Sequence, residues 1–115
     1  PMMAGVAFYD IVVQGKGGHG ARPEATVDPV VMGSAIVQAL QSIVSRNVAA
    51  IDRAVVSVTR FDAGNAYNVI PDRVRLGGTV RAFSRETMAL VESRMRAIAE
   101  GVAAGFGGMA SLDFR

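Results

Sequence analysis

Residues 15–23, Gly-Lys-Gly-Gly-His-Gly-Ala-Arg-Pro, contain the only histidine of the 115-residue chain, His19, together with two cationic side chains. Glycines permit tight turns and close backbone approach, so a loop rich in them can hold a side chain outward at its tip. A histidine held there can exchange protons or hydrogen bonds near neutral pH. We therefore treat His19 as a candidate functional group and expect its neighbours to set the loop conformation, namely Gly15, Gly17, Gly18 and Gly20.

The same segment formally matches Gly-x-Gly-x-x-Gly, the fingerprint of dinucleotide-binding proteins. That fingerprint opens directly into a helix and has an acidic residue about 20 positions further on. Here residues 22–24, Arg-Pro-Glu, intervene, and residues 38–42 contain no acid. A phosphate-binding loop that ends in Gly-Lys-Ser or Gly-Lys-Thr is also absent from the segment, so nucleotide binding is not predicted.

The chain lacks the residues that a metal site or a nucleophilic active site would need. Zinc requires three or four His, Cys or carboxylate ligands, whereas the chain has one histidine, no cysteine and scattered acids. A catalytic triad needs a nucleophile beside the histidine, and none is near His19 in sequence. We therefore expect no metal and no cofactor in this domain, and no complete active site.

The length and composition predict one domain, residues 1–115, with more apolar surface than its own core would bury. Half of the residues are apolar and 19% are charged, so we expect something outside the sequence to cover part of the surface. A net charge of +2 without a basic run gives no nucleic-acid signal, and no segment predicts a membrane span or a signal peptide. The absence of cysteine fits a reducing compartment, so we expect a cytoplasmic location. Both ends of the chain look cut from a longer protein.

The first half of the chain predicts a strand, the loop and a helix. Residues 6–13 are β-rich, with apolar side chains on both alternating faces except at Asp10, so we expect a central strand that is covered on both faces for much of its length. Asp28 and Pro29 form a helix start, and apolar residues recur at helical spacing to about residues 46–47.

The second half predicts two strands, a helix and a final short strand. Residues 55–61, from Val55 to Phe61, are rich in β-branched residues, and residues 62–72 form a long turn region. Residues 74–83 alternate between an apolar and a polar face. A helix follows Ser84, with Met88 and Met95 in its core stripe, and residues 112–114 end the chain as a strand.

The order strand, helix, strand, strand, helix, strand predicts an α+β ferredoxin-like sandwich, a four-stranded antiparallel sheet with both helices on one face. The second and fourth strands would then be the sheet edges. An exposed edge as β-branched as Val55 to Phe61 favours pairing with another chain. We therefore expect a homodimer formed through that edge strand.

Four segments, in order, resemble the dimerisation or lid domain of the zinc-dependent aminoacylase and carboxypeptidase family. They are residues 10–23, the Asp28-Pro29 pair, residues 64–72 with Asn-Val-Ile-Pro-Asp, and residues 78–83, Gly-Thr-Val-Arg-Ala-Phe. The sequence is most similar to the amidohydrolase branch, which contains hippurate hydrolase, auxin-conjugate hydrolase and other N-acyl-amino-acid amidohydrolases. The resemblance covers essentially the whole chain.

The resemblance implies a two-domain hydrolase that cleaves the amide bond of N-acyl amino acids, with this lid as its smaller part. It implies that the metal-binding domain, with two divalent ions (zinc or manganese) and the general base, lies outside this sequence. His19 matches the catalytic histidine that reaches the neighbouring subunit and hydrogen-bonds the scissile carbonyl. Asn68 and Arg81 match residues that hold the substrate, the arginine pairing with its carboxylate. The isolated domain would be inactive.

Two other classes of protein remain open from the residues alone. One is a freestanding ferredoxin-like binding or regulatory module, such as an RNA-binding domain, which would need exposed aromatic residues on the central strands. The other is a small acylphosphatase-like enzyme that uses a glycine-rich anion loop with an arginine and an asparagine. Activity of the isolated domain on acyl phosphates would distinguish it from a lid.

Overall fold

A computed structural model describes residues 5–115 of the chain. Its strands are β1 (Gly5–Gln14), β2 (Gly18–His19), β3 (Ala54–Ala63), β4 (Val69–Ile70), β5 (Arg73–Ala82) and β6 (Met109–Phe114). Its α-helices are α1 (Pro29–Ser42) and α2 (Arg85–Gly105). A 3-10 turn covers Pro23–Ala25, and a π-helical turn, Ile43–Asn47, continues α1.

The four long strands form one antiparallel sheet in the order β3-β5-β1-β6. Both helices pack against each other and against the same face of this sheet. The predicted α+β ferredoxin-like sandwich is confirmed, and so is the prediction that the second and fourth long strands are its edges. These edges are β3 and β6.

Strict alternation in the central strands places the core on the helix side. Ile11 and Val13 in β1 and Val74 and Leu76 in β5 are fully buried, and they meet α1 and α2 residues such as Met95. Met88 is only partly buried and packs at the margin of this core. Burial of such side chains supplies most of the stabilisation of a domain of this size.

The prediction that the first strand is covered on both faces is wrong for the described residues. Val6 and Phe8 face away from the helices and are 45% and 56% exposed. Both helices lie on the opposite face, so nothing within residues 5–115 covers these side chains. Their apolar character is therefore a surface property of the helix-free face, the sheet face that has no helix packed on it.

Both helices begin where their capping residues predict. The Asp28 carboxylate accepts a hydrogen bond from the Val30 N–H at 2.9 Å, and Pro29 occupies the first helical position. Ser84 caps α2 by accepting from the Thr87 N–H at 3.0 Å. Each cap satisfies a donor that the first helical turn leaves unpaired. The first helix was predicted to run to residues 46–47, and the α-helical part ends at Ser42.

A tyrosine connects three strands of the sheet. The Tyr9 hydroxyl in β1 donates to the Ser57 carbonyl in β3 at 2.8 Å, passing over Gly78 of the intervening β5. A Cβ at Gly78 would lie 2.8 Å from the Tyr9 hydroxyl and would collide with the Ser57 carbonyl. Burial raises the pKa of the Tyr9 hydroxyl from 10.0 to about 12. The protonated, donating form is therefore the one that the fold stabilises.

Among residues 5–115, neither helix is both long enough and apolar enough to cross a membrane.

Candidate functional site

The glycine-rich segment forms a short second sheet with the Asn-Val-Ile-Pro segment. Strand β2 pairs with β4 in an antiparallel ladder that places Gly18 opposite Ile70 and His19 opposite Val69. Cross-strand partners present their side chains on the same face, about 5 Å apart. The two segments that resemble one family are therefore brought together in space, although the paired residues are 50 and 52 positions apart in sequence.

Asp72 fastens this small sheet to the end of β1. Its side-chain Oδ1 accepts from the Gly17 N–H at 2.9 Å, and its carbonyl accepts from the Gly15 N–H at 2.8 Å. Gln14 Nε2 donates to the same carbonyl at 3.2 Å. Sequence reasoning did not select Asp72, because nothing local links it to residues 55 positions earlier.

Backbone from other segments approaches three of the four loop glycines closely. A Cβ at Gly15 would collide with the Val27 carbonyl, and one at Gly17 would collide with the Ile70 carbonyl. The clash is milder at Gly18, 3.1 Å from Thr26 Cγ2, and at Gly20, 3.3 Å from the Asn68 carbonyl oxygen. None of the four has a positive φ. Close packing against neighbouring backbone thus excludes a side chain at Gly15 and Gly17, and the role of the four glycines in setting the loop conformation stays a prediction.

A backbone hydrogen bond sets the orientation of the His19 ring. The Ala21 N–H donates to His19 Nδ1 at 3.0 Å. An N–H can only donate, so Nδ1 is the unprotonated nitrogen of the neutral ring and the proton sits on Nε2. His19 is exposed, and its ring therefore offers an Nε2–H donor to a partner outside this loop.

Asn68 lies beside the histidine loop. Its carbonyl oxygen accepts from the Gly20 N–H at 2.8 Å, and the residue is exposed. Its neighbour Tyr67 is fully exposed and was not selected as a candidate site residue from the sequence. Its aromatic side chain next to the asparagine is the feature that could have pointed to it. His19 and Asn68 thus form one exposed cluster at the end of the domain.

Arg81 lies at the opposite end of the large sheet. It pairs in register with Val6, near the start of β1, whereas the His19 loop follows Gln14 at the end of β1. The eight residue-to-residue steps from Val6 to Gln14 span about 27 Å at the usual rise of a strand. The structure therefore does not bring Arg81 together with His19 and Asn68 within one chain.

The Arg81 side chain is exposed on the helix-free face and borders an open cleft of about 460 Å³. Most of the residues that line the cleft are apolar, such as Val44, Val48 and Val55, and Asp52 and Arg53 also line it. Within residues 5–115 no carboxylate lies at ion-pair distance from Arg81. A guanidinium in this position can form a two-bond fork with a carboxylate ligand.

The other cations of the loop have no such arrangement. Arg22 Nε pairs with Glu24 at 3.0 Å, with both side chains largely exposed, and such surface pairs contribute little. The Lys16 backbone forms a bridge to Val27, and its side chain is exposed. Across the described part of the chain, no three His, Cys, Asp or Glu side chains come together in a group that could hold a metal ion.

The structure thus defines a ferredoxin-like domain with a long edge strand, a loop-held histidine at one end and a free arginine at the other. Residues 3–106 match the family described as the peptidase dimerisation domain. The chain belongs to this family.

Curated relatives agree with that assignment. The chain is 47% identical over 114 residues to N-acetylcysteine deacetylase of Bacillus subtilis, a match that covers 99% of the chain and 30% of the relative. It is 47% identical over 102 residues to hippurate hydrolase of Campylobacter jejuni, covering 89% of the chain and 27% of that enzyme. The chain therefore spans less than a third of the length of these relatives.

Solved structures show the same fold within longer chains. A protein of methicillin-resistant Staphylococcus aureus described as an aminohydrolase superposes with a TM-score of 0.95 at 36% identity, over 99% of this chain and 29% of that one. A dinuclear metal-binding peptidase of Bacillus subtilis superposes with a TM-score of 0.76 at 38% identity, over 99% of this chain and 26% of that one.

Proposed function

We propose that this chain is the dimerisation and substrate-capping domain of a metal-dependent amidohydrolase that cleaves the amide bond of N-acyl amino acids. Its relatives include a deacetylase of N-acetylcysteine and a hydrolase of hippurate, which by their names act on such amides. In this proposal His19 is the catalytic residue of the domain, and Asn68 and Arg81 bind the substrate.

The hydrogen bond from Ala21 to His19 is the observation that carries the proposal. With Nδ1 occupied as an acceptor, the neutral ring can only donate through Nε2. A donor fixed in advance and aimed at an amide carbonyl stabilises the charge that grows on the oxygen during attack. One such donor is typically worth about 3 to 4 kcal/mol of barrier.

The distance between the two ends of the sheet supports a site shared between two chains. An N-acyl amino acid is much shorter than the roughly 27 Å that separates the level of Arg81 from the end of β1. One substrate therefore cannot contact His19 and Arg81 of the same chain. In a two-fold dimer, the histidine end of one chain can lie beside the arginine end of its partner.

The edge strand supplies a surface for this dimer. Val55 and Phe61 in β3 are 53% and 40% exposed, and Val55 to Phe61 is the segment that we propose to pair with its own copy. When two copies of β3 pair in an antiparallel arrangement, the two strands run in opposite directions. This reversal brings the His19 end of one domain toward the Arg81 end of the other, as the shared site requires.

Arg81 and Asn68 are proposed to fix the two ends of the substrate. The guanidinium of Arg81 binds the carboxylate of the amino acid through two parallel hydrogen bonds. Asn68, whose backbone carbonyl accepts from the Gly20 N–H in the histidine loop, binds the amide portion through its side chain. When the carboxylate and the amide group of the substrate are both held, the scissile carbonyl is positioned against His19 Nε2.

The described residues do not fit a metal ion, so no step of this proposal passes through one within this chain. Two divalent ions, zinc or manganese, are proposed to lie in the catalytic portion of the full-length protein. The structural relative described as a dinuclear metal-binding peptidase supports that placement. A cytoplasmic location also remains a proposal, based on the cysteine-free sequence, and cell fractionation tests it.

Subunit complementation of the full-length enzyme tests the shared site. One variant carries His19→Ala, and the second carries a disrupted metal site in the catalytic portion. Mixed dimers should recover part of the activity on an N-acyl amino acid, because one of their two sites then contains an intact histidine and an intact metal site. No recovery in dimers shown to be mixed would contradict the proposal.

A further inference from the structure

The immediate neighbours of Arg81 on the helix-free face are apolar and exposed. In the strand registers Arg81 lies between Val6 of β1 and Val55 of β3. These valines are 45% and 53% exposed. Directly opposed residues of antiparallel strands hold their side chains about 5 Å apart, so the guanidinium stem passes between two apolar side chains.

A phenylalanine extends this apolar surface by one step along β1. Phe8 pairs with Thr79 and is 56% exposed. It is therefore a diagonal neighbour of Arg81, at about 7 to 8 Å between backbones, which is within reach of an aromatic ring. Val6, Phe8 and Val55 form what we call the Arg81 wall.

The nearest acidic side chains along β1 and β6 pair with a different arginine and not with Arg81. The next acid along β1 is Asp10, and its carboxylate pairs with Arg115 at 3.0 Å. Asp113 pairs with the same arginine at 3.0 Å. Asp52 and Arg53 line the same cleft as Arg81, but within residues 5–115 no carboxylate lies at ion-pair distance from Arg81. Its guanidinium therefore stands beside exposed apolar side chains, which suits a ligand that carries a carboxylate next to an apolar group.

We propose that the Arg81 wall selects the side chain of the amino acid in the substrate, and that it favours large apolar side chains. This inference rests on the proposed function, because it takes Arg81 as the carboxylate site. The carboxylate and the side chain of an amino acid are attached to the same α-carbon. A carboxylate bound at Arg81 therefore places the side chain within a few ångströms of Val6, Phe8 or Val55.

The acyl group is directed elsewhere. It lies across the amide bond from the α-carbon, on the side that the proposed function gives to the partner's histidine end. The Arg81 wall should therefore distinguish amino acids and not acyl groups. This separation gives the inference a signature that a general loss of fold or of dimerisation does not produce.

The test compares variants of the full-length enzyme on N-acetyl-phenylalanine, N-acetyl-leucine and N-acetylglycine. Phe8→Ala should lower kcat/KM for the two apolar substrates by about tenfold, the usual size of a lost apolar contact, and that for N-acetylglycine by less than twofold. Phe106→Ala, a change at another phenylalanine, which is 47% exposed at the end of α2, should alter none of the three. Replacing acetyl by benzoyl should leave the Phe8→Ala effect unchanged.

Equal losses on all three substrates, no loss on any, or an effect that follows the acyl group would overturn the inference. A failure of the proposed function looks different. In that case the wild-type enzyme hydrolyses none of these substrates, or Arg81→Ala retains full kcat/KM. Hydrolysis that depends on Arg81 but shows no selectivity change in Phe8→Ala would reject the wall alone.

Discussion

The backbone N–H of Gly20 donates to the carbonyl oxygen of Asn68 at 2.8 Å. This contact, with the pairing of His19 and Val69, makes the histidine loop and the asparagine turn one structural unit. Any change that separates the two segments should therefore affect both of the side chains for which we propose a function.

Gly17→Ala should separate them. Its Cβ would collide with the Ile70 carbonyl and lie 2.8 Å from the Pro71 carbonyl carbon, and backbone atoms cannot move aside cheaply. We expect at least a tenfold loss of kcat/KM in the full-length enzyme and a lower melting temperature, measured by steady-state kinetics and calorimetry. Gly101→Ala is the control, because a Cβ there meets nothing within 4 Å; it should leave activity unchanged and stabilise α2 by about 0.5 to 1 kcal/mol. A fully active Gly17→Ala enzyme would disprove the packing argument.

His19→Ala should lower kcat by about a hundredfold or more, because the pre-set Nε2 donor is lost at the step where charge develops. His19→Gln should retain part of the rate, since its amide N–H can reach a similar position. Metal content, measured by elemental analysis, should match the wild type in both variants. Near-normal turnover of His19→Ala would rule out the donor role.

Val55→Lys should weaken dimerisation through β3. The substitution puts a charge on the exposed edge segment that we propose to pair with its own copy, and a charged side chain on an edge strand opposes such pairing. Met109→Lys is the matched control, because Met109 is 69% exposed on the other edge strand. Sedimentation of the full-length proteins should show a lower dimer fraction for the first variant only. Equal dimer fractions would place the interface elsewhere.

Stability at high pH should depend on Tyr9. Its folded-state pKa of about 12 exceeds the ordinary value of 10.0, so folding favours the protonated hydroxyl. This stabilisation is complete below pH 10 and is lost as the pH rises from 10 toward about 12. Tyr9→Phe should remove that part of the pH dependence and should cost about 1 to 3 kcal/mol at pH 7, because the Ser57 carbonyl loses its donor. Urea unfolding at a series of pH values measures both effects.

Local sequence patterns were sufficient to predict the large sheet and both helices. Alternation in β5 separates Val74 and Leu76 from the polar face, and Asp28 with Pro29 marks the start of α1. The small β2–β4 sheet was missed, because two-residue strands have no periodicity and their pairing joins segments about 50 residues apart. Long-range contacts of this kind leave no local signal.

Only some residues of the candidate site were selected from the sequence, because its long-range contacts also leave no local signal. His19 and the glycines stood out by residue type, and the structure adds the contact that orients the ring. Asp72 and Tyr67 were not selected, and the exposure of Phe8 was not foreseen. A sequence pattern shows that a strand face is apolar, and the packing of the helices decides whether that face is covered.

The two edges of the sheet are unequal. β3 has ten residues and a register shift between Val58 and Arg60. β6 has six residues, and its end carries the Asp113–Arg115 ion pair. If β3 pairs with its own copy, both β3 edges are buried in the dimer, and only the short, charged β6 strands remain as free edges. Assembly through these strands would therefore stop at two copies and would not grow into a filament.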